Sequence, residues 1–319
     1  MANEIDMHIA IIGTGGVGGY FGAKLAQAGN QVTFLARGEH LKAIKENGLM
    51  VKSIHGDFHV KEVAATDAIL EIDSPDLVIT AVKAWQIKEV REDINKILHP
   101  GSMVLPLQNG VMAAEELSEV INPSHVLNGL CRIISKIDGP GVINHFGVKP
   151  EIVFGELNKT ETKRTAALTQ LFDDAGITNK ASRDIEVDLW KKFISICVSA
   201  LLAVTKTTYG EIREIKETRQ MMIDLLNEIY DLSKKKGVNI KSDFIDKTIA
   251  FLDSFPYNST SSLTRDVWEG RPSEIEYQNG TVVKLAKKLG VDVPINRFVY
   301  NCVLPMELKA RGKKLSKPN

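Results

Sequence analysis

Six consecutive residues near the start of the chain, Gly13-Thr14-Gly15-Gly16-Val17-Gly18, follow the pattern G-x-G-x-x-G. They come directly after the apolar run His8 to Ile12 and open a helix-like stretch, the setting in which this pattern holds a dinucleotide. The first glycine turns the chain tightly, the second lets the backbone approach a pyrophosphate, and the third allows close packing of helix on strand. The phosphates would lie at the positive end of the helix. The second apolar run, Val32-Thr33-Phe34-Leu35-Ala36, ends in Arg37, where NAD-binding chains carry an acid for the ribose 2′-hydroxyl; the next acid, Glu39, lies beyond Gly38. A guanidinium there pairs with a 2′-phosphate and stacks on adenine, so the expected cofactor is NADP(H). Metal chemistry is not expected. His55 and His59 lack a third ligand and read as surface histidines, and Cys131, Cys197 and Cys302 show neither C-x-x-C nor C-x-x-H spacing. The three cysteines read as buried thiols.

These residues need a scaffold. His8 to Ile12, Gln31 to Ala36, Leu77 to Val82 and Met103 to Leu107 read as strands, and Val17 to Ala28 and Trp85 to Leu98 carry helix-like apolar spacing. Such alternation implies an α/β fold with a mainly parallel sheet. Loose alternation from Gly48 to Val63, around His55-Gly56-Asp57, predicts a hairpin or excursion. Two or three further strands are expected from Asn128 to Gly155, around the turn signal Asp138-Gly139-Pro140-Gly141, followed by a helix from Lys159 to Ala175 and a strand near Ile177. After Asp184 the character changes, and Glu186 to Val204, Lys216 to Lys236, Ser242 to Asp253, Ser273 to Leu289 and Arg297 to Ala310 are all helix-like. Lys234-Lys235-Lys236-Gly237 and Lys287-Lys288-Leu289-Gly290 read as helix ends, with cations at the negative end of the dipole and glycine as a left-handed cap. The division predicted is a cofactor domain over 1–182 and a helical domain over 183–319.

Composition narrows the function classes. Forty Lys plus Arg balance forty Asp plus Glu in 319 residues, so no strong field favours nucleic acid or an anionic membrane as partner. Apolar residues at 44% and charged residues at 25% match an ordinary globular protein of about two domains. The longest apolar run, Phe193 to Val204, is broken by Ser195 and Ser199 and falls below the roughly 18 residues a spanning helix needs. Met1 to Asp6 carry two acids and no base, unlike a secretory leader, so a cytoplasmic location is expected.

Further motifs, in order, are Val82-Lys83-Ala84-Trp85-Gln86, Gln108-Asn109-Gly110, Leu189-Trp190-Lys191-Lys192-Phe193, Ser261-Ser262 and Glu274-Ile275-Glu276-Tyr277-Gln278-Asn279-Gly280. With the glycine-rich turn, the chain resembles the ketopantoate reductase (2-dehydropantoate 2-reductase) family over nearly its whole length. The resemblance implies an N-terminal Rossmann domain and an all-helical C-terminal domain resembling that of 6-phosphogluconate dehydrogenase. It implies NADPH-dependent reduction of a 2-keto acid to a 2-hydroxy acid, ketopantoate to pantoate in pantothenate biosynthesis. Carried over by position, Lys83, Asn109 and Ser135 are cofactor contacts, with Asn109 also near the substrate. Lys192 is the catalytic lysine, which binds the substrate and protonates the developing oxyanion, and the spacing after Trp190 distinguishes it from Lys191. Glu274 is a catalytic acid that also meets the cofactor, and Ser262 bonds the substrate carboxylate. Asn279-Gly280 reads locally as a hairpin turn, whereas the family places it inside a helix.

The chain departs from the family at two asparagines expected four and eight residues after the lysine, where Ile196 and Ala200 stand. On a continuous helix these lie at about +40° and +80° from Lys192, while Ser195 and Ser199 lie at about −60° and −20°. Ser199 is therefore a candidate substrate donor on a more apolar wall. A third family asparagine corresponds to Tyr209. Loss of polar anchors weakens selection for a polar substrate, which brings in a D-2-hydroxyacid (D-mandelate-type) dehydrogenase acting on a bulkier 2-keto acid. A third reading is a non-catalytic NADP(H) sensor. The apolar faces of the C-terminal helices could also form a homodimer.

Overall fold

The computed structural model describes residues 7–313; Met1 to Asp6, read above for a leader, lie outside them. The chain divides into two units. The first runs to Gln108 and resumes over Met112–Ile185; the second comprises Asn109–Val111 and the chain from Glu186 onward.

In the first unit the strands are β1 (His8–Ile12), β2 (Gln31–Leu35), β3 (Leu49–Ser53), β4 (Phe58–Val60), β5 (Ala64–Thr66), β6 (Leu77–Thr80), β7 (Met103–Pro106), β8 (Leu127–Arg132), β9 (Ser135–Gly139), β10 (Val142–His145), β11 (Glu151–Glu156) and β12 (Thr178–Ala181). Its helices are α1 (Gly16–Gln27), α2 (Gly38–Asn47), α3 (Ile87–Ile97), α4 (Ala113–Ser118) and α5 (Lys163–Asp174). The central five-stranded sheet has the order β5-β2-β1-β6-β7 and is parallel throughout. Along β1, Ile9 and Ile11 enter one buried cluster and Ala10 and Ile12 the other, as the period of two requires of a strand covered on both faces. Strand order reverses at β1, between β2 and β6, so the crevice beyond the carboxyl ends of β1 and β6 is where such a sheet takes a ligand.

The excursion expected after Gly48 is the antiparallel pair β3 and β4, which joins β10 and β9 in a second sheet. Four strands, rather than two or three, occupy the region from Asn128 to Gly155. β8, β11 and β12 make a third sheet.

The second unit is helical: α6 (Ile185–Ile196, its first residue in the preceding unit), α7 (Val198–Thr205), α8 (Tyr209–Glu214), α9 (Lys216–Lys235), α10 (Phe244–Asp253), α11 (Ser262–Trp268), α12 (Asn279–Leu289) and α13 (Pro294–Ala310). Its core gathers Trp190, Phe193, Leu201, Leu225, Ile229, Val282 and Val299. Both lysine-rich stops end helices, with Gly237 at φ 91° and Gly290 at φ 68°.

One expected helix, Glu186 to Val204, is two. The Asn279 amide donates to the Cys197 carbonyl at 3.2 Å, and the Ala200 N–H bonds the same carbonyl in a tighter i+3 contact at 3.4 Å. A side chain entering the ladder is a recognised cause of a kink. Ser195 adds to it by donating its hydroxyl back to the Lys192 carbonyl at 2.8 Å. Among the described residues no helix is long and apolar enough to cross a membrane.

Candidate active site

The glycines of the first unit differ in what surrounds them. Gly13 has φ 105°, and a Cβ there would lie 2.7 Å from the Val82 nitrogen at the end of β6. At Gly18 a Cβ would lie 2.1 Å from the Gly13 oxygen, and at Gly16 2.6 Å from the Ser135 carbonyl of β9. Within the glycine-rich turn Gly15 is the exception, with nothing within 4 Å of such an atom. It precedes α1 in extended backbone, no side chain caps the helix, and no acid occupies the first turn. Open space at the uncapped positive end of a helix fits a pyrophosphate, so the residues present suit the dinucleotide that the motif implies.

The loop is held from behind. Thr14, 4% exposed, donates its hydroxyl to the Leu35 carbonyl at 2.9 Å. The Thr14 carbonyl accepts from His40 Nε2 at 2.9 Å, and the Gly141 N–H donates to His40 Nδ1 at 3.0 Å. A carbonyl only accepts, which fixes the proton on Nε2, and the Gly141 N–H needs an acceptor, which leaves Nδ1 bare and the ring neutral. Burial, the larger influence, lowers the pKa of His40, in accord with a neutral ring. No local pattern marks His40, which sits in the first turn of α2 and acts through a tertiary contact.

Val17 is half-buried and packs against the sheet's core. Arg37 is exposed at the end of β2, just ahead of α2. Lys83 is exposed just beyond β6, its Nζ 5.9 Å from the centre of the Trp85 ring. Ser135 lies against Gly16, its buried hydroxyl without a hydrogen-bond partner. Gln108 fastens the ends of β6 and β7 by accepting from the Thr80 hydroxyl at 3.0 Å and donating to the Val82 carbonyl at 3.2 Å. The first unit thus gathers the glycine turn, Ser135 and the residues after β6.

In the second unit, Asn109 Nδ2 donates to Glu274 Oε2 at 3.0 Å. The next residue, Gly110, has φ 105°, and a Cβ there would lie 2.8 Å from the Tyr277 oxygen. Two motifs more than 160 residues apart are thereby brought together. The helix expected to begin at Ser273 begins later. Glu274, 6% exposed, precedes a single 3-10 turn over Ile275–Tyr277, and α12 starts only at Asn279 after an irregular Gln278. Asn279-Gly280 opens that helix instead of forming a hairpin, because the Asn279 amide finds buried acceptors in Cys197 and Asn296.

Lys192 is half-buried on α6, and Lys191 points elsewhere, its Nζ 6.0 Å from the centre of the Phe244 ring. Ser262 is exposed in the first turn of α11, whereas Ser261 is engaged as its cap, accepting from the Thr264 N–H at 3.1 Å. The break at Cys197 ends the angular projection from Lys192 at Ile196. Burial pushes the pKa of the Tyr209 hydroxyl up to about 12, and Ser199 is 2% exposed. Ala200 is buried beside it and Ile196 is half-buried.

Comparison with known proteins identifies the family. Residues 9–159 match the family model described as ketopantoate reductase PanE/ApbA, and residues 184–307 match its C-terminal counterpart. A 2-dehydropantoate 2-reductase of Nostoc sp. (strain PCC 7120) is 31% identical over 92% of this chain and 92% of its own length. A PanE/ApbA family ketopantoate reductase structure from Ralstonia eutropha JMP134 superposes with a TM-score of 0.88 at 30% identity, covering 96% of this chain and 100% of that one. The fold is shared at 24% identity and a TM-score of 0.86 with D-mandelate dehydrogenase in a ternary structure with NADH and anilino(oxo)acetate, over 96% of this chain and 100% of that one. A parallel-sheet unit, a helical unit and both family matches lead to one assignment: the chain belongs to the ketopantoate reductase family of oxidoreductases.

Proposed function

We propose that this protein uses NADPH to reduce the ketone of a 2-keto acid to a 2-hydroxy acid, with 2-dehydropantoate as substrate and pantoate as product. The observation that carries the reading is the hydrogen bond from Asn109 to the buried Glu274 carboxylate, which brings two of the sequence motifs together within the second unit. When bound, the reduced nicotinamide supplies the hydride that the carbonyl carbon accepts. The Lys192 ammonium stabilises the charge that develops on the carbonyl oxygen and donates a proton to it. Glu274 orients that ammonium and, through Asn109, the amide that faces cofactor and substrate. Ser262 donates its hydroxyl to the substrate carboxylate.

Gly13, Gly15, Gly16 and Gly18 hold the pyrophosphate, with Thr14 and Val17 fixing the turn. Lys83 and Ser135 border it, and Arg37 pairs with the 2′-phosphate. Arg37→Asp is accordingly expected to weaken NADPH binding by about 10- to 100-fold, the worth of one charge-assisted pair, while NADH binding changes little. Titration of nicotinamide fluorescence measures both constants, and equal losses would refute the 2′-phosphate contact.

Ile196 and Ala200 favour a second reading, reduction of a bulkier 2-keto acid of the kind the D-mandelate dehydrogenase neighbour suggests. A panel of 2-keto acids, followed by NADPH absorbance, separates the two. A kcat/KM for ketopantoate at least tenfold above those for branched and aromatic 2-keto acids is the expected outcome, since hydrogen-bonding sites discriminate by about that much or more. The reverse order would favour the bulkier substrate, and NADPH binding without turnover of any member would point to a sensor.

A further inference from the structure

The short segment that carries Glu274 is fastened to α13 on both sides. Before it, Ser273 is fully buried and donates both its backbone N–H, at 2.8 Å, and its hydroxyl, at 2.6 Å, to Oε2 of Glu307. Glu307 is itself 2% exposed. Its other oxygen accepts from Arg311 Nε at 2.5 Å, and Arg311 Nη2 reaches back to the Ser273 carbonyl at 3.3 Å, closing a ring of four contacts. After it, Glu276 accepts from the Tyr300 hydroxyl of α13 and from Lys284 Nζ. Burial would push the Glu276 carboxyl up, but these bonds hold it below its ordinary value, so it remains an anion at neutral pH.

Between these anchors the backbone supplies little order of its own. Ile275–Tyr277 is a single 3-10 turn, and the irregular Gln278 separates it from α12. A turn of that length is not self-supporting, so the direction of the Glu274 side chain depends on what grips its neighbours. A buried carboxylate is kept only where its oxygens are satisfied, and both oxygens of Glu307 are spent on this one junction and its Arg311 partner.

We infer that Glu307 is a positioning residue for the reaction, fixing the Ser273 backbone and thereby aiming Glu274 at Asn109 and the reacting groups. The inference rests on the proposed role of Glu274 at the active site. The bland alternative is that Glu307 only ties α13 to its own unit.

A double-mutant cycle separates them, with kcat and KM for the keto acid measured at saturating NADPH and the fold of each variant checked by thermal melting. Glu307→Ala is expected to lower kcat by about 10- to 100-fold, the scale of a misplaced catalytic group, with KM changed less than about threefold. On a Glu274→Ala background the same change should alter kcat by less than about twofold, because residues acting through one another do not add. Glu307→Gln, which keeps an acceptor for Ser273, should recover part of the loss. If Glu307→Ala does not fold, Ser273→Ala, which removes one donor and leaves α13 intact, should give a smaller loss with the same coupling. Equal losses on both backgrounds, or wild-type kcat in Glu307→Ala, would overturn the positioning role. Wild-type turnover in Glu274→Ala alone would instead overturn the role of Glu274, and with it this inference.

Discussion

Lys192→Ala is expected to lower kcat by about 10²- to 10⁴-fold, the range of a positioned general acid, while NADPH still binds. The ammonium is asked to do two things at one atom: offset charge on the carbonyl oxygen and deliver a proton to it. Dinucleotide binding should survive because the glycine turn, its Thr14 and His40 supports and Arg37 all belong to the other unit. Lys191→Ala is the control within the same helix turn. Its ammonium lies near the Phe244 ring, a contact worth about 0.5 to 1 kcal/mol at an exposed site, so turnover should stay near wild type. Single-turnover kinetics with preloaded NADPH isolates the chemical step, and a dead Lys191→Ala beside an active Lys192→Ala would reverse the assignment.

The second large effect distinguishes two glycines three residues apart. Gly18→Ala places a methyl group 2.1 Å from the Gly13 oxygen, a backbone atom no rotamer change can move. The strain should destabilise the first unit by about 1 to 3 kcal/mol or more, and thermal melting should show it with or without cofactor. Gly15→Ala meets open space, at φ −83° and ψ −163°, which an alanine adopts readily. Stability should be unchanged or higher by up to about 1 kcal/mol, from reduced freedom of the unfolded chain. Its effect should appear only with ligand, as a loss of about tenfold or more in NADPH affinity, because the methyl occupies the approach of the pyrophosphate. Equal melting temperatures for both variants would mean that the two glycines do not serve these separate ends.

Much of the scaffold was legible because local rules and tertiary demands coincide there. β1, β2, β6 and β7 are apolar runs covered on both faces, and the glycine turn follows the first of them. The ends of α9 and α12 follow lysines and glycine for the same reason. Legibility fails where a distant group decides. Nothing in the apolar run Phe193 to Val204 signals a break, since the agent is an amide from Asn279. Asn279-Gly280 has the composition of a turn, yet buried acceptors hold it in a helix. The motifs around Asn109 and Glu274 could be found by resemblance, but their contact could not, and neither His40 nor Glu307 belongs to any short pattern.

The break at Cys197 also bears on how readily this chain could acquire a new substrate range. Ala200 is fully enclosed, so an asparagine there would take an amide into apolar packing, at about 1 to 3 kcal/mol for each group left unpaired. Ile196 closes α6 half-buried at the edge of the helical core, where a polar replacement can keep contact with water. Of the two departures from the family pattern, one is therefore reversible by a single substitution and the other is locked in by its neighbours. Selection or design acting on this wall would find position 196 permissive and position 200 closed until the surrounding core had changed first.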